Sequence, residues 1–305
     1  MLAALLACGA WTAPQRGQQI FRSGVQTVFV DVSVLKGHTP VTDLSATEFM
    51  VSDNGVPQRV EVVTDTPIPL DVSLVVNASQ VNLYYGVGGR TPGVSDEAQR
   101  NVRQIASALR ADDRLGIVTF ASDVVETRPM TPIGSNPEVI SLGNPMTDAL
   151  SNRYRITEAL LTALTRPVLP DRRHLVVVFA LGTGTPSIAP LEHLVTAARR
   201  SDALLYGVLA PTHRETRTNQ PFAFYPSEVV VRDAVTQAAE ATGGKAYFTG
   251  DIIGAFRDVL REFRRSYVLR YTLEGVATAG WHDIVVTVPT CSTCTIRARR
   301  GYMGQ

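Results

Sequence analysis

The chain has 305 residues, 45% of them hydrophobic and 19% charged, with 29 Lys plus Arg against 28 Asp plus Glu. That length accommodates one large domain and a smaller module, and the composition excludes a disordered chain, which would carry less apolar surface and more net charge. A net charge of +1 excludes a global field that would draw the protein to nucleic acid or an anionic membrane.

Residues 1–13, MLAALLACGAWTA, are apolar and end in small residues ahead of Pro14 and Gln15, the pattern of an export signal, although a basic start is missing and the apolar core is short. Leu5-Leu6-Ala7-Cys8 also resembles a lipoprotein cleavage box in which Cys8 would carry the lipid; simple secretion is the preferred reading. No later stretch approaches the roughly eighteen apolar residues of a membrane span. The expectation is therefore an exported protein, periplasmic, cell-surface or secreted, with a lipid anchor as the lesser alternative.

Residues 20–66 read as strands and turns. Val28, Val30, Val32 and Val34 recur at period two, and Asp53-Asn54-Gly55-Val56-Pro57 is a turn signal between two such runs. Residues 266–304 form a second β-segment with strand-like runs at 267–272, 281–288 and 295–299. Neither end could bury a core alone, whereas together they would make a sandwich of about seven strands. The expectation is that the two ends pack together and that residues 68–265 form a domain inserted between them.

Within that domain the pattern alternates. Strands are expected at 70–76, 114–120, 124–128 (an edge strand), 174–181, 203–209 and 245–248. Helices are expected at 96–109, 156–164, 191–200, 228–241 and 252–264, with Gly243-Gly244 closing the fourth in a left-handed cap. Such alternation implies a doubly wound, mostly parallel sheet whose ligand edge lies beyond the carboxyl ends of its strands. Arg261, Arg264 and Arg265 read as the solvated face of the last helix, not as a phosphate site.

Motifs for catalysis are thin. Cys291-Ser292-Thr293-Cys294 could be a redox pair, half a zinc site or a local disulfide. It sits between strand-like runs with no second ligand pair, which favours a disulfide pinning a hairpin turn. The five histidines, His38, His174, His193, His213 and His282, fall on separate elements. A Ser-His-Asp triad stays open, since its members need not be adjacent, but no G-x-S-x-G elbow anchors one. Gly182-Thr183-Gly184-Thr185 lacks the Lys and the spacing of a phosphate loop.

Several phrases resemble the von Willebrand factor type A fold, and more closely the VWFA-related proteins described from Acidobacteria. At the front stand Val30-Asp31-Val32-Ser33-Val34 and Val51-Ser52-Asp53-Asn54-Gly55-Val56-Pro57-Gln58. In the middle are Leu74-Val75-Val76-Asn77-Ala78-Ser79 and Asp112-Asp113-Arg114-Leu115-Gly116-Ile117-Val118-Thr119-Phe120; at the end, Tyr267-Val268-Leu269-Arg270-Tyr271 and Arg297-Ala298-Arg299-Arg300-Gly301-Tyr302. Their order and spacing carry the likeness, which implies a von Willebrand factor A-like α/β fold and leaves the function open.

Such domains usually hold a divalent cation at the strand ends, with an Asp-x-Ser-x-Ser loop, a distant Thr and an Asp-Gly after a central strand. This chain departs at each station. The first loop has Asn77, Ser79 and Val81; the Thr station offers Thr157 or, by gapless spacing, Glu158; the last has Leu181 for Asp. The resemblance therefore implies a degenerate site without metal. The rival reading has Glu158 restore one charge and, with Ser79, Asn77 and Asp123 or Asp148, rebuild a weak Mg²⁺ site.

Two loops on the same rim stand out. One carries Tyr84, Tyr85 and Arg90, the other His213, Arg217, Phe222, Phe224 and Tyr225. Aromatics and arginines on such loops are common in protein recognition surfaces. Packing of those rings onto their own domain is an equally open reading. The leading expectation is a non-enzymatic protein-binding or adhesion-type module with no catalytic residues; the alternatives are a scaffold subunit of an envelope assembly and cation-dependent ligand binding through Glu158.

Overall fold

In the computed structural model, which describes residues 27–62, 68–77, 96–120, 123–134, 140–141, 155–169, 171–180, 189–209 and 226–304, the alternation at the front becomes strand β1 (Thr27–Lys36). Val28, Val30, Val32 and Val34 are buried while Phe29 is exposed, so one face packs. On one side β1 pairs antiparallel with β12 (Tyr267–Thr272), from Thr27 opposite Thr272 to Val32 opposite Tyr267. On the other it pairs with β14 (Thr295–Ala298), from Val32 opposite Ala298 to Leu35 opposite Thr295. Strands from opposite ends of the chain are thus neighbours. β2 (Thr39–Pro40) folds back onto β1, and β5 (Val60–Val62) flanks β12, completing a five-stranded sheet.

A four-stranded sheet lies against it, in the order β15 (Gly301–Gly304), β13 (Gly280–Thr287), β3 (Met50–Asp53), β4 (Val56–Gln58). Val30, Val32 and Leu269 from one sheet share a core with Val51, Ile284 and Tyr302 from the other. β3 turns into β4 through Asn54 and Gly55, both left-handed with φ of 47° and 80°, and Asp53 pairs with Val56. This is the mirror-image two-residue turn whose twist matches antiparallel strands, and Asn-Gly tolerates it best.

The inserted unit carries a six-stranded sheet. β6 (Leu70–Asn77), β7 (Arg114–Phe120), β9 (Arg173–Ala180), β10 (Leu204–Leu209) and β11 (Ala246–Phe248) are parallel, and β8 (Val124–Pro132) runs antiparallel along β7. The spatial order is β11-β10-β9-β6-β7-β8. Helices α1 (Asp96–Ser107) and α5 (Ile252–Arg264) cover one face, through Val102, Ile105, Phe256, Val259 and Phe263. Helices α2 (Ile156–Leu164), α3 (Leu191–Arg200) and α4 (Pro226–Thr242) cover the other, through Leu160, Leu194, Val235 and Ala238. With both faces covered, β9 and β10 can be apolar almost throughout, and β6 is buried along nearly its whole length. The architecture is the doubly wound α/β fold with a terminal β-module expected from the sequence.

Two local expectations change. The edge strand β8 continues to Pro132, past the expected end at Arg128. Register shifts opposite Leu115 and Ile117 let it bend, and an edge tolerates Pro129 and Pro132 because their missing N–H groups can face away from the ladder. Arg264 is not solvated: it reaches Asp113, a fully buried carboxylate at the amino ends of the strands that also accepts from Leu70 N at 2.9 Å and Arg110 N at 2.7 Å. Beside it, buried Asp71 holds Arg114 and Arg172. Burial alone would raise the Asp71 pKa, but the hydrogen bonds and charges of these two guanidinium groups outweigh it and hold the carboxyl below its usual range.

Ionic contacts join the two units. Arg173 meets Asp31, Arg299 meets Asp202 at 3.0 Å, and Arg297 meets Glu262, a buried carboxylate that also accepts from the Tyr206 hydroxyl at 2.9 Å. Gly243, φ 91°, ends α4 in the left-handed cap read from the sequence. Its α-carbon faces the sandwich so closely that a β-carbon there would lie 2.7 Å from the backbone at Ala298 and Arg299.

Candidate functional site

The sheet order reverses between β6 and β9, and in open α/β sheets the crevice for a ligand forms at the carboxyl ends of the strands flanking that reversal. Val76 pairs there with Phe179, and Asn77 closes β6 opposite Phe120. The Asn77 amide is buried, at 1% exposure. At the start of α2, Thr157 is fully buried and Glu158 is half-buried. Glu158 Oε1 accepts the Ala189 N–H at 3.0 Å, tying the start of α2 to the approach of α3.

The donors described at this rim are therefore an uncharged amide, a hydroxyl and one carboxylate. A hard divalent ion needs about six oxygen ligands and gives up water reluctantly unless anionic oxygens replace it. One carboxylate with an oxygen already accepting a backbone N–H does not fit that demand. Among the described residues no three His, Cys, Asp or Glu side chains gather as a metal-holding group. Asp123 is exposed. Ser79, Val81, Asp148 and Leu181 lie outside the described residues, as do Tyr84, Tyr85, Arg90, His213, Arg217, Phe222, Phe224, Tyr225, Cys8 and the segment 1–13.

Two polar constellations escaped the sequence reading. In the inserted unit, Ser73 Oγ and His174 Nε2 lie 2.9 Å apart, both residues buried. Burial, reinforced by the positive charges of Arg166 and Arg114 and opposed by Asp71, pulls the His174 pKa down to about 4, so the ring is neutral at pH 7. Its Nδ1 has no partner among the described residues, and Asp71 is spent on two arginines. A serine nucleophile needs an orienting group behind the histidine and an open face; this pair has neither and reads as a buried structural contact.

The second lies in the sandwich. Asp53, fully buried, accepts from the Tyr271 hydroxyl at 2.7 Å and the Tyr302 hydroxyl at 3.0 Å, and its other oxygen is 2.7 Å from His282 Nδ1. Since a carboxylate only accepts, Nδ1 is the donor. The His282 ring stacks on Tyr302 with centroids 4.5 Å apart. Burial pushes both tyrosine pKa values up, and hydrogen bonding to Asp53 adds to it, so the hydroxyls stay protonated donors. The network locks the N-terminal segment to three C-terminal strands.

Cys291 and Cys294 are joined by a disulfide, with Cα atoms 5.4 Å apart. β13 and β14 flank it but belong to different sheets, so the bond closes a corner between sheets and not the hairpin turn expected. Among the described residues no helix is long and apolar enough to cross a membrane.

No protein-family model matches the chain, and no curated protein matches it. Solved structures do. Proximal thread matrix protein 1 from the mussel byssus is 10% identical over 66% of this chain, with a TM-score of 0.43, and the chain spans 49% of that protein's length. A von Willebrand factor type A protein from Catenulispora acidiphila is 9% identical over 93% of this chain and 75% of its own, with a TM-score of 0.43. The ArnB paralog VWA2 from Sulfolobus acidocaldarius is 7% identical over 89% of this chain and 75% of its own, with a TM-score of 0.39. These are loose architectural likenesses without residue correspondences; the fold stands on its own strand order and helix placement.

Proposed function

We propose that the protein is an exported, non-enzymatic binding module, allied to the VWFA-related proteins of Acidobacteria, that engages a protein partner at the strand-end rim without a bridging metal. The observation that carries this reading is the state of the described rim donors: Asn77 presents a buried neutral amide, and the Glu158 carboxylate is engaged by the Ala189 N–H. An ion-bridged contact needs the opposite, a cluster of anionic oxygens with one coordination position open to the ligand. Without it, recognition falls to side chains, and the aromatic and arginine residues of the flanking loops, Tyr84, Arg217 and Phe222 among them, supply the chemistry common at binding hot spots. The Cys291–Cys294 disulfide suits an oxidising compartment and so supports export.

The test is metal analysis of the purified protein together with binding to an affinity-selected partner with and without EDTA. Substoichiometric Mg²⁺, Mn²⁺ and Zn²⁺, with binding unchanged by the chelator, is the expected result. A stoichiometric divalent ion whose removal abolishes binding would overturn the proposal in favour of a site rebuilt on Glu158. Joint replacement of Tyr84, Arg217 and Phe222 by Ala should weaken binding at least about tenfold; unchanged binding would favour a scaffold role for the inserted unit.

A further inference from the structure

Helices α1 and α5 lie side by side on one face of the six-stranded sheet, held through Val102 and Ile105 on the first and Phe256 and Val259 on the second. Burying those positions turns the remaining faces of both helices to solvent. On α1 the exposed residues Arg100, Arg103, Gln104 and Ser107 follow one another at the three- and four-residue spacing that brings side chains together from turn to turn. Arg257 is exposed on α5. With Ala108, these side chains line a cleft of about 380 Å³ between the two helices.

No carboxylate lines that cleft, and none of its three guanidinium groups is ion-paired with a described residue. Arginine is treated differently elsewhere: Arg114 and Arg172 meet Asp71, Arg264 meets Asp113, and Arg299 meets Asp202. On α5 itself, Asp258 adjoins Arg257 in sequence but is taken by Arg261, and Asp251 caps the helix by accepting the Gly254 N–H at 2.8 Å. Like charges one turn apart destabilise a helix. Three convergent, uncompensated cations are therefore a strain on the folded chain that an arriving anion relieves.

We propose that this cleft is a binding site for the phosphomonoester group of a small soluble ligand, separate from the strand-end rim. Guanidinium groups present paired N–H donors that match the oxygens of a phosphoryl group, and the Gln104 amide supplies a further donor. Charge selects the monoester. It carries about two negative charges at neutral pH, where a diester or a carboxylate carries one, and so compensates three cations better. The volume is at the lower end for small-molecule pockets, which leaves room for the phosphoryl group and a compact remainder.

Isothermal titration calorimetry of the full chain at low ionic strength tests this, with inorganic phosphate, glycerol 2-phosphate and dimethyl phosphate as probes. The first two should bind at one site with a Kd of about 1 mM or below, and dimethyl phosphate, a monoanionic diester, at least about tenfold more weakly. Arg103→Gln and Arg257→Gln should each weaken binding of the two dianions at least about tenfold. Arg265→Gln, which changes an exposed arginine of α5 outside the cleft, should leave it unchanged. Without phosphate, both cleft variants should melt no earlier than the parent, and phosphate should raise the Tm of the parent but not theirs. Four results would overturn the proposal: no saturable binding of phosphate, equal affinity for dimethyl phosphate, an equal loss in Arg265→Gln, or co-sedimentation with phosphatidylglycerol vesicles that free phosphate does not displace, which would assign this face to a lipid surface.

Discussion

At the scale of single residues, the two buried histidines carry the sharpest consequences. His174 has a folded pKa of about 4 against 6.5 for a free imidazole, so between those values the unfolded chain binds the proton that the folded one refuses. Stability is fully present above pH 6.5 and is lost as pH falls towards 4, by on the order of 3 kcal/mol for this group. Urea midpoints at pH 7 and pH 4.5 should show that loss, and His174→Asn should flatten it; an equal pH dependence in the variant would refute the assignment. Asp71 acts lower, since its pKa is depressed below the carboxylate range: its contribution survives to about pH 4 and goes only beneath it. Asp53→Asn should cost about 3–5 kcal/mol, because an amide keeps one acceptor oxygen and turns an N–H group towards the hydroxyl and imidazole groups that converge on the buried carboxylate. Denaturant unfolding measures it directly. The sequence showed Asp53 as a turn residue and His282 as one of five scattered histidines. Their meeting was illegible because the partners of Asp53 lie 218, 229 and 249 residues away, and no local pattern encodes such a distance.

At the scale of elements, hydrophobic periodicity was a sufficient guide wherever burial was one-sided or complete. β1, with its period of two, and β9, with seven consecutive buried residues, were both recognisable from their residues. β8 runs on past its expected end at Arg128, through Pro129 and Pro132, because an irregular edge strand tolerates residues that a central strand would not. The disulfide was legible as a bond but not as a corner, since proximity of two strands in sequence does not say that they share a sheet. Replacing both cysteines with Ser should cost about 2 kcal/mol or less, given how small a loop the bond closes, and leave the fold intact by circular dichroism. Gly243→Ala should cost more, above about 2 kcal/mol, since it combines a left-handed backbone with a β-carbon driven against Ala298. Thermal unfolding of the two variants side by side would rank them, and a smaller loss for Gly243→Ala would show that the contact between α4 and the sandwich relaxes freely.

At the scale of the whole molecule, the doubly wound core and the module built from both chain ends followed from alternation of strands and helices flanked by β-rich ends. The candidate rim was legible only as a set of departures from the pattern that the resemblance implies, while the engagement of Glu158 by the Ala189 N–H emerged only with the fold. Among the ionic contacts between the two units, Glu262 stands out because it binds both Tyr206 of the inserted sheet and Arg297 of the sandwich. Glu262→Gln should leave the Arg297 cation uncompensated and loosen that joint, so calorimetry should resolve two transitions where the parent gives one. A single transition in the variant would show that the remaining contacts suffice.

The pairing of β1 with β12 and β14 also governs how the protein bears load. A pull applied between Thr27 and Gly304 passes along the strands of the sandwich, and the inserted unit, whose entry and exit both leave from that sandwich, hangs outside the line of tension. The candidate rim would keep its shape under stretching until the sandwich ruptures, after which the released insert would pay out as slack.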